Sequence, residues 1–223
     1  MSKWVKLKAS DGFVFNSYVA EPAGKPKGGL VVVQEIFGIN PHMRSVTDRF
    51  AAEGYLAVAP AIFDRGQPGI ELAYNKEGYE KGFELLQKIP MDDTMKDVAA
   101  ALDYVAKETG KPAGVVGFCY GGSLAWRAAA ELAPAAAVGY YGGYIIKYAE
   151  EMPKAPVMLH FGKKDEHIPE SGVAKVQALH PEVQIYWYDA GHAFNRNSDP
   201  HAYVEKAANE AMARTLAFFA EHI

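Results

Sequence analysis

The chain has 223 residues, of which 49% are hydrophobic and 22% are charged, and its formal net charge is −4. This length and composition suit a soluble globular protein with one sizeable core and exclude a disordered chain. A slightly acidic chain without a long basic run has no electrostatic footprint for nucleic acid. Because no apolar stretch approaches the length of a membrane span and no signal peptide is evident, we expect a single domain over residues 1–223 with neither a membrane nor a nucleic-acid partner.

Short apolar runs alternate with amphipathic stretches along the chain. The predicted strands, in chain order, span residues 3–8, 13–19, 29–34, 55–59, 113–120 (with its following turn), 135–141, 156–161 and 183–188. The predicted helices span residues 42–53, 91–108, 121–132, 169–179 and 201–220. This alternation predicts an α/β fold whose mostly parallel sheet carries helices on both faces and has an antiparallel hairpin at its N-terminal edge. In such folds ligands bind at the carboxyl ends of the strands.

Residues 61–90 are the least regular part of the chain. Glycine and proline interrupt them at Gly66, Pro68, Gly69, Gly78 and Gly82. We predict a loop with a short helix here, which could form a cap over the site.

The stretch around the single cysteine, Cys119, has the spacing of a nucleophile elbow. Gly117 and Gly121 stand two residues before and two residues after it, between an apolar run and a helical pattern. A strand that turns so sharply into a helix leaves no room for side chains at these two positions. A lone cysteine is most often a small buried hydrophobe, but the two glycines favour a nucleophile. Since one cysteine cannot form an internal disulfide, we expect a reduced thiol and a cytoplasmic protein.

Two further loops supply candidate partners for the cysteine. Asp165 and His192 each follow one of the last two predicted strands. The order nucleophile, acid, histidine is the chain order of α/β-hydrolase triads, in which the histidine moves the proton of the nucleophile and the acid orients the imidazole. Glu166 and Asp189 compete with Asp165 for the role of the acid, and position after the strand favours Asp165.

The loop after the strand at 29–34 belongs to the same edge of the predicted sheet. In α/β-hydrolases this loop supplies one backbone N–H of the oxyanion hole, and the residue after the nucleophile supplies the other. The backbone amides of Ile36 and Tyr120 are therefore the candidates. Glu35 stands at the mouth of the same apolar strand, where a carboxylate is either solvated or needs a partner.

Five separate motifs make the chain resemble the dienelactone hydrolases, also called carboxymethylenebutenolidases. In chain order they are Q-E-I-F-G at 34–38, G-F-C-Y-G-G at 117–122, Y-Y-G at 140–142, the loop of Asp165, and G-H-A-F at 191–194. The resemblance covers nearly the whole chain. It implies an α/β-hydrolase fold and a carboxylic ester hydrolase.

The resemblance also implies roles for individual residues. Cys119 is the implied nucleophile, His192 the base and Asp165 the residue that orients it. Glu35 corresponds to a buried glutamate of the family that interacts with the resting thiol until substrate displaces it, which leaves a thiolate paired with the imidazolium. A thiol masked in this way is protected from oxidation and alkylation.

Three positions are implied to bind substrate. Arg196 falls where the family has an arginine for the substrate carboxylate, the alternative being an ordinary surface arginine. Tyr141 and Phe37 are implied to line the pocket. The typical family enzyme has a second arginine from the segment that precedes the long helix, but residues 70–90 contain none.

Arg65 is the nearest arginine in sequence to that segment. Lys76 or Lys81 could take the place of the missing second arginine, although a lysine lacks the flat, bidentate fork of a guanidinium.

We therefore expect hydrolysis of a small lactone or ester, first of all dienelactone to maleylacetate. A broad carboxylesterase or thioesterase with the same triad is the alternative, followed by a thiol sensor or small-molecule binder without turnover. No zinc-ligand spacing, phosphate loop or dinucleotide fingerprint is present, so we expect neither a metal nor a cofactor. The expected partner is a small-molecule lactone or ester, and the expected state is a monomer or a weak homodimer.

Overall fold

The structure is a computed structural model, and it describes residues 1–223. The chain forms two compact units. The first unit comprises Met1–Val115 with Ile223, and the second comprises Val116–His222. The strands are β1 (Ser2–Lys8), β2 (Val14–Ala20), β3 (Gly29–Val33), β4 (Leu56–Pro60), β5 (Ala113–Phe118), β6 (Ala137–Tyr140), β7 (Val157–Gly162) and β8 (Gln184–Tyr188). The helices are α1 (Pro41–Ala52), α2 (Lys76–Lys88), α3 (Met91–Thr109), α4 (Tyr120–Glu131), α5 (Glu170–Leu179) and α6 (Glu205–His222). Within the first unit the hydrogen-bonded strands follow the order β1-β2-β4-β3, and within the second unit they follow the order β6-β7-β8.

In the first unit, β1 and β2 form the antiparallel hairpin that the sequence predicted, and β2 also pairs antiparallel with β4. β3 and β4 are parallel. Both strands are buried over their whole length, as their runs of valine, leucine and alanine without a polar face require. Helices α1 and α3 pack on these strands. α1 begins at Pro41, and the Asn40 side chain caps it by accepting from the Met43 N–H at 3.1 Å.

In the second unit, β6, β7 and β8 are parallel neighbours. α4 packs on β6 and α6 packs on β7. A buried polar network joins α6 to this sheet, because the imidazole of His160 lies 2.8 Å from the Tyr188 hydroxyl and 3.1 Å from the Thr215 hydroxyl. Burial, with a smaller contribution from the charge of Arg214, lowers the pKa of His160 to about 3, so this histidine is neutral.

Residues 61–90 are more regular than their glycines and prolines suggested. They contain a 3₁₀ turn at Ile62–Arg65 and the 13-residue helix α2, where the sequence predicted only a short helix. Gly78 and Gly82 lie inside α2 and allow close packing. A Cβ at Gly82 would lie 2.1 Å from the carbonyl oxygen of Ile36, and one at Gly78 would lie 2.0 Å from the carbonyl oxygen of Ala73. The glycines therefore bring the helix against neighbouring backbone.

The last helix begins later than predicted, at Glu205 instead of residue 201. The carbonyl of Asp199 accepts from the N–H groups of Ala202 and Tyr203, and its carboxylate accepts from the His201 N–H at 3.1 Å. These bonds form a separate turn before the helix. None of the helices combines the length and the apolar character that crossing a membrane requires.

Candidate active site

Cys119 lies where β5 turns into α4. Its backbone has φ +54° and ψ −114°, a conformation that L side chains rarely adopt. Its N–H donates to the carbonyl of Tyr140 at 3.0 Å, and its carbonyl accepts from the N–H of Gly122 at 3.0 Å. Backbone hydrogen bonds on both sides thus hold the strained residue at the N-terminus of the helix.

Glycine is required around Cys119 because backbone segments approach each other closely. A Cβ at Gly117 would lie 1.8 Å from the carbonyl oxygen of Gly121, and one at Gly122 would lie 2.5 Å from the carbonyl oxygen of Tyr140. Neither separation is sterically possible, so any side chain would displace the turn that presents the thiol.

The structure brings Asp165 and His192 together. Nδ1 of His192 lies 2.7 Å from Oδ2 of Asp165, and Oδ1 of Asp165 accepts from the backbone N–H of His167 at 3.0 Å. The Asp165 side chain is fully buried, whereas 24% of the His192 side chain is exposed. A buried carboxylate with both oxygens engaged fixes the orientation of the imidazole.

The loops that carry these two residues are bound to each other. The N–H of Lys163 donates to the Tyr188 carbonyl at 2.8 Å, and the N–H of Lys164 donates to the Ala190 carbonyl at 2.9 Å. A Cβ at Gly162 would lie 2.3 Å from the Ala190 carbonyl oxygen, so only glycine permits this approach.

The competing carboxylates lie elsewhere. The Asp189 side chain is 81% exposed and pairs with Lys164 at 2.8 Å. Glu166 is exposed. Of the three acids, Asp165 is the one in contact with His192.

Cys119, His192 and Asp165 are coupled electrostatically. Burial acts to lower the pKa of His192, but hydrogen bonds with Asp165 and with the Cys119 side chain, together with the charges of these two groups, raise it to about 10. At neutral pH the imidazolium is therefore the favoured form. An imidazolium within hydrogen-bonding reach of a thiol stabilises the thiolate, which is the reactive form of cysteine.

Two aromatic rings contact the imidazole of His192. The ring of Tyr141 lies 5.0 Å from it and the ring of His167 lies edge-on at 5.6 Å. Tyr141 is fully buried, with φ +39°, and packs against Phe194 at 5.4 Å. The predicted pocket residue Tyr141 therefore packs directly on the predicted base.

Arg196 is buried, with 8% of its surface exposed, so it is not an ordinary surface arginine. The backbone N–H of Arg196 donates to the Ala193 carbonyl at 2.8 Å, and Nη1 of its guanidinium lies 3.4 Å from Oδ2 of Asp199. Tyr120, the first residue of α4, is also buried, and its ring contacts that of Tyr144 edge-on at 6.2 Å.

Glu35, Ile36 and Phe37 follow β3 in the first unit, and all three are buried. The hydroxyl of Tyr74 lies 3.2 Å from Oε2 of Glu35 and donates to it. The same tyrosine packs edge-on against Phe37, with ring centroids 4.8 Å apart. Sequence reasoning did not single out Tyr74, because it lies in the irregular segment and belongs to none of the motifs.

Arg65 cannot serve as the missing second arginine, because carboxylates of the first unit already bind its guanidinium. Its guanidinium binds the carboxylate of Asp97 through two bonds of 2.8 Å and that of Asp11 at 2.9 Å. It also stacks over the ring of Phe13 at 4.5 Å.

The two candidate lysines lie on α2 beside acidic residues of the same helix. Lys76 is 3.8 Å from Glu80, and Lys81 is 3.2 Å from Glu84. Both lysines therefore have partners on their own helix.

Candidate metal ligands do not cluster in the structure: no group of three or more His, Cys, Asp or Glu side chains could hold a metal ion. Three buried or half-buried imidazoles have protein partners instead. His160 contacts the Tyr188 hydroxyl at 2.8 Å, Nε2 of His180 donates to the Ala149 carbonyl at 2.7 Å, and His192 contacts Asp165.

Comparison with known proteins shows the family of this chain. The model of the dienelactone hydrolase family matches residues 15–223. A carboxymethylenebutenolidase of Pseudomonas putida is 34% identical over 99% of this chain and 97% of its own length. A carboxymethylenebutenolidase of Pseudomonas sp. strain P51 is 32% identical over 97% of this chain and 94% of its own length.

Solved structures show the same fold. A Klebsiella pneumoniae protein, assigned provisionally to the dienelactone hydrolases, has a TM-score of 0.84 at 28% identity and covers 99% of each chain. A dienelactone hydrolase-like promiscuous phosphotriesterase from metagenomic libraries has a TM-score of 0.78 at 20% identity, covering 99% of this chain and 98% of its own. The predicted α/β-hydrolase fold is confirmed. The chain belongs to the dienelactone hydrolase family and is a lactone or ester hydrolase of the carboxymethylenebutenolidase class.

Proposed function

We propose that Cys119, His192 and Asp165 form the catalytic triad of this hydrolase. The observation that carries the proposal is the hydrogen-bonded connection from Asp165 through His192 to Cys119, in which the pKa of His192 is raised to about 10. A histidine in this environment retains its proton at neutral pH, so it can pair with the Cys119 thiolate once substrate has displaced Glu35. The strained backbone of Cys119 supports the proposal, because strain of this kind is common where a nucleophile must be presented.

In the acylation step, the Cys119 thiolate attacks the carbonyl carbon of the ester and a C–S bond forms. The carbonyl oxygen takes the negative charge, and we assign its stabilisation to the backbone amides of Ile36 and Tyr120. Collapse of the tetrahedral intermediate breaks the C–O bond of the ester. The leaving oxygen receives the proton of the His192 imidazolium. In a lactone the leaving oxygen stays attached to the acyl group, so acylation opens the ring.

In the deacylation step, the now neutral His192 takes a proton from water as the water oxygen attacks the thioester carbonyl. The C–S bond breaks, the carboxylic acid product leaves, and the thiolate and the imidazolium are restored. Asp165 keeps the imidazole in the orientation that both steps use and stabilises its charged form.

The remaining assignments follow the family pattern. Glu35 masks the resting thiol and is displaced by substrate. Arg196 binds a substrate carboxylate through its planar guanidinium, and Tyr141 and Phe37 line the pocket. The burial of Glu35 and Arg196 supports these roles, because charged groups are rarely buried unless a partner or a ligand uses them.

Dienelactone is the first candidate substrate, because curated relatives at 32–34% identity are carboxymethylenebutenolidases. A broader small-ester or thioester specificity is the second candidate. The ion pairs of Arg65 with Asp97 and Asp11 favour this second candidate. Because residues 70–90 contain no arginine and Arg65 is already paired, neither supplies the second arginine that would bind a substrate carboxylate.

The proposal is tested by following the ultraviolet absorbance of dienelactone with the wild-type protein and with Cys119→Ala. We expect the lactone band to disappear with the wild type alone. If only p-nitrophenyl acetate is hydrolysed, and only by the wild type, the triad stands and the second candidate specificity is favoured. Appreciable turnover by Cys119→Ala would contradict the triad.

A further inference from the structure

A cleft of about 260 Å³ is lined entirely by residues of the first unit. Its walls are mainly apolar and include Trp4, Ile39, Phe63 and Ile70. Phe63 and Ile39 are buried, whereas Trp4 is 48% exposed and lies at the mouth. None of the residues assigned above to the hydrolase reaction lines this cleft, so a ligand here would go beyond the proposed function.

One polar side chain of the cleft has an unused hydrogen-bonding atom. Gln34 is fully buried; its Nε2 donates to the backbone carbonyl of Glu35 at 3.1 Å, but its Oε1 has no hydrogen-bond partner. A buried acceptor left unsatisfied is energetically unfavourable. Because this oxygen has no solvent-accessible surface, an N–H or O–H group of a ligand in the cleft reaches it only when the Gln34 side chain turns toward the cleft.

The charge lining the cleft is negative. Asp64 is 5% exposed, and its carboxylate accepts hydrogen bonds from the backbone N–H and Nδ2 of Asn16 and from the N–H of Gly69, at 2.8–2.9 Å. All three donors are neutral. The other acid of the cleft, Glu71, is already paired with Arg44 at 2.6 Å. The carboxylate of Asp64 therefore has no cationic partner.

We propose that this cleft binds a small organic ammonium ion with a short apolar chain. The ammonium group donates to Oε1 of Gln34 and is attracted by the carboxylate of Asp64. The chain packs against Phe63, Ile70 and the indole of Trp4. A carboxylate ligand of the same size is repelled by Asp64, and a neutral alcohol keeps only the hydrogen bond.

The test uses n-butylammonium, 1-butanol and butyrate as probes of one size and three charges. Binding to ¹⁵N-labelled protein is followed at the indole N–H of Trp4, with Trp126 and Trp187 of the second unit as internal references. We expect millimolar binding of n-butylammonium, the range open to a ligand of about five non-hydrogen atoms. Binding of 1-butanol is expected to be roughly tenfold weaker, and butyrate is expected to leave Trp4 unchanged.

Two variants test the role of the glutamine. Gln34→Met keeps the shape of the side chain but removes the acceptor, and we expect it to weaken n-butylammonium binding by roughly tenfold. Gln87→Met, on the exposed face of α2, is the matched control and is expected to bind like the wild type.

Equal responses to n-butylammonium and butyrate, or undiminished binding by a folded Gln34→Met, would overturn the proposal. So would the absence of any Trp4 response, which would mean that the cleft holds only water. Because the three probes are compared on the wild type, the test stands even where Gln34→Met fails to fold.

Discussion

Oδ2 of Asp165 lies 2.7 Å from Nδ1 of His192, while Oδ1 of the same carboxylate accepts from the backbone N–H of His167. One oxygen of Asp165 is thus fixed by its own loop, and the other orients the imidazole of His192. Two backbone hydrogen bonds from Lys163 and Lys164 bind that loop to the loop of His192. This rigid connection explains how two residues far apart in sequence keep one geometry.

Replacing Asp165 by Asn should lower kcat/KM for a p-nitrophenyl ester by a factor on the order of 10⁴. The alkaline limb of the pH profile should also move to lower pH. Asp165 helps to raise the pKa of His192 to about 10, so without this carboxylate the imidazolium loses its proton at a lower pH. The profiles of wild type and variant over pH 6–11 measure both effects. Asp189→Asn, at an 81% exposed carboxylate, is the control and should behave like the wild type. An unshifted alkaline limb in Asp165→Asn would contradict the assigned role.

Glu35→Gln tests whether this carboxylate masks the resting thiol. We expect hydrolysis to fall by about tenfold, the effect of losing one charge-assisted hydrogen bond, and alkylation of Cys119 by iodoacetamide to become faster in the absence of substrate. Tyr74→Phe, which removes the hydroxyl that donates to Glu35, should shift both rates in the same direction by less. Glu53→Gln, at the exposed end of α1, is the control. Unchanged hydrolysis and alkylation in Glu35→Gln would rule out the masking role.

Arg196→Lys keeps the charge but removes the planar fork that binds a carboxylate through two bonds. We expect KM to rise by roughly tenfold for an ester that carries a carboxylate and to change little for a neutral ester of the same size. Steady-state kinetics on such a pair of esters gives the comparison directly. An equal effect on both esters would show that the arginine supports the fold and does not bind the substrate.

Gly117→Ala should destabilise the protein by about 3 kcal/mol or more and abolish hydrolysis. The reason is steric, because the new Cβ would lie 1.8 Å from the carbonyl oxygen of Gly121 and the turn that presents Cys119 would have to move. Gly24→Ala is the matched control, since a Cβ at Gly24 would meet no heavy atom within 4 Å. Urea unfolding and ester hydrolysis, measured on both variants, separate the two positions. A Gly117→Ala protein as stable and active as Gly24→Ala would refute the elbow geometry.

Local patterns were enough to predict most of the fold. The buried strands β3 and β4 are continuous apolar runs, and the hairpin of β1 and β2 follows alternating residues around Asp11 and Gly12. For residues 61–90 the glycines and prolines indicated a loop with a short helix, and the structure has the 13-residue helix α2 there, which includes Gly78 and Gly82. The small size of Gly82 allows packing against the backbone of Ile36, a tertiary effect that has no signature in the local sequence.

Some residues of the candidate site could likewise be predicted from local motifs, and others could not. Motif spacing pointed to Asp165 and His192 as a pair, and the structure brings them into contact. The partner of Glu35 could not be found from sequence, because Tyr74 reaches it from a distant segment through one hydroxyl group. The engagement of Arg65 with Asp97 and Asp11 was equally hidden, since these residues meet only after α3 and the first hairpin have formed.

The most direct test of the central claim is mass spectrometry of the acyl-enzyme after rapid acid quenching of a reaction with p-nitrophenyl acetate. The chain contains one cysteine, so a thioester on the peptide that carries Cys119 identifies the nucleophile without ambiguity. We predict that an acetyl group accumulates on Cys119 in the wild type and is absent from Cys119→Ala. Turnover with an acetyl group on another residue, or undiminished turnover by Cys119→Ala, would contradict the account.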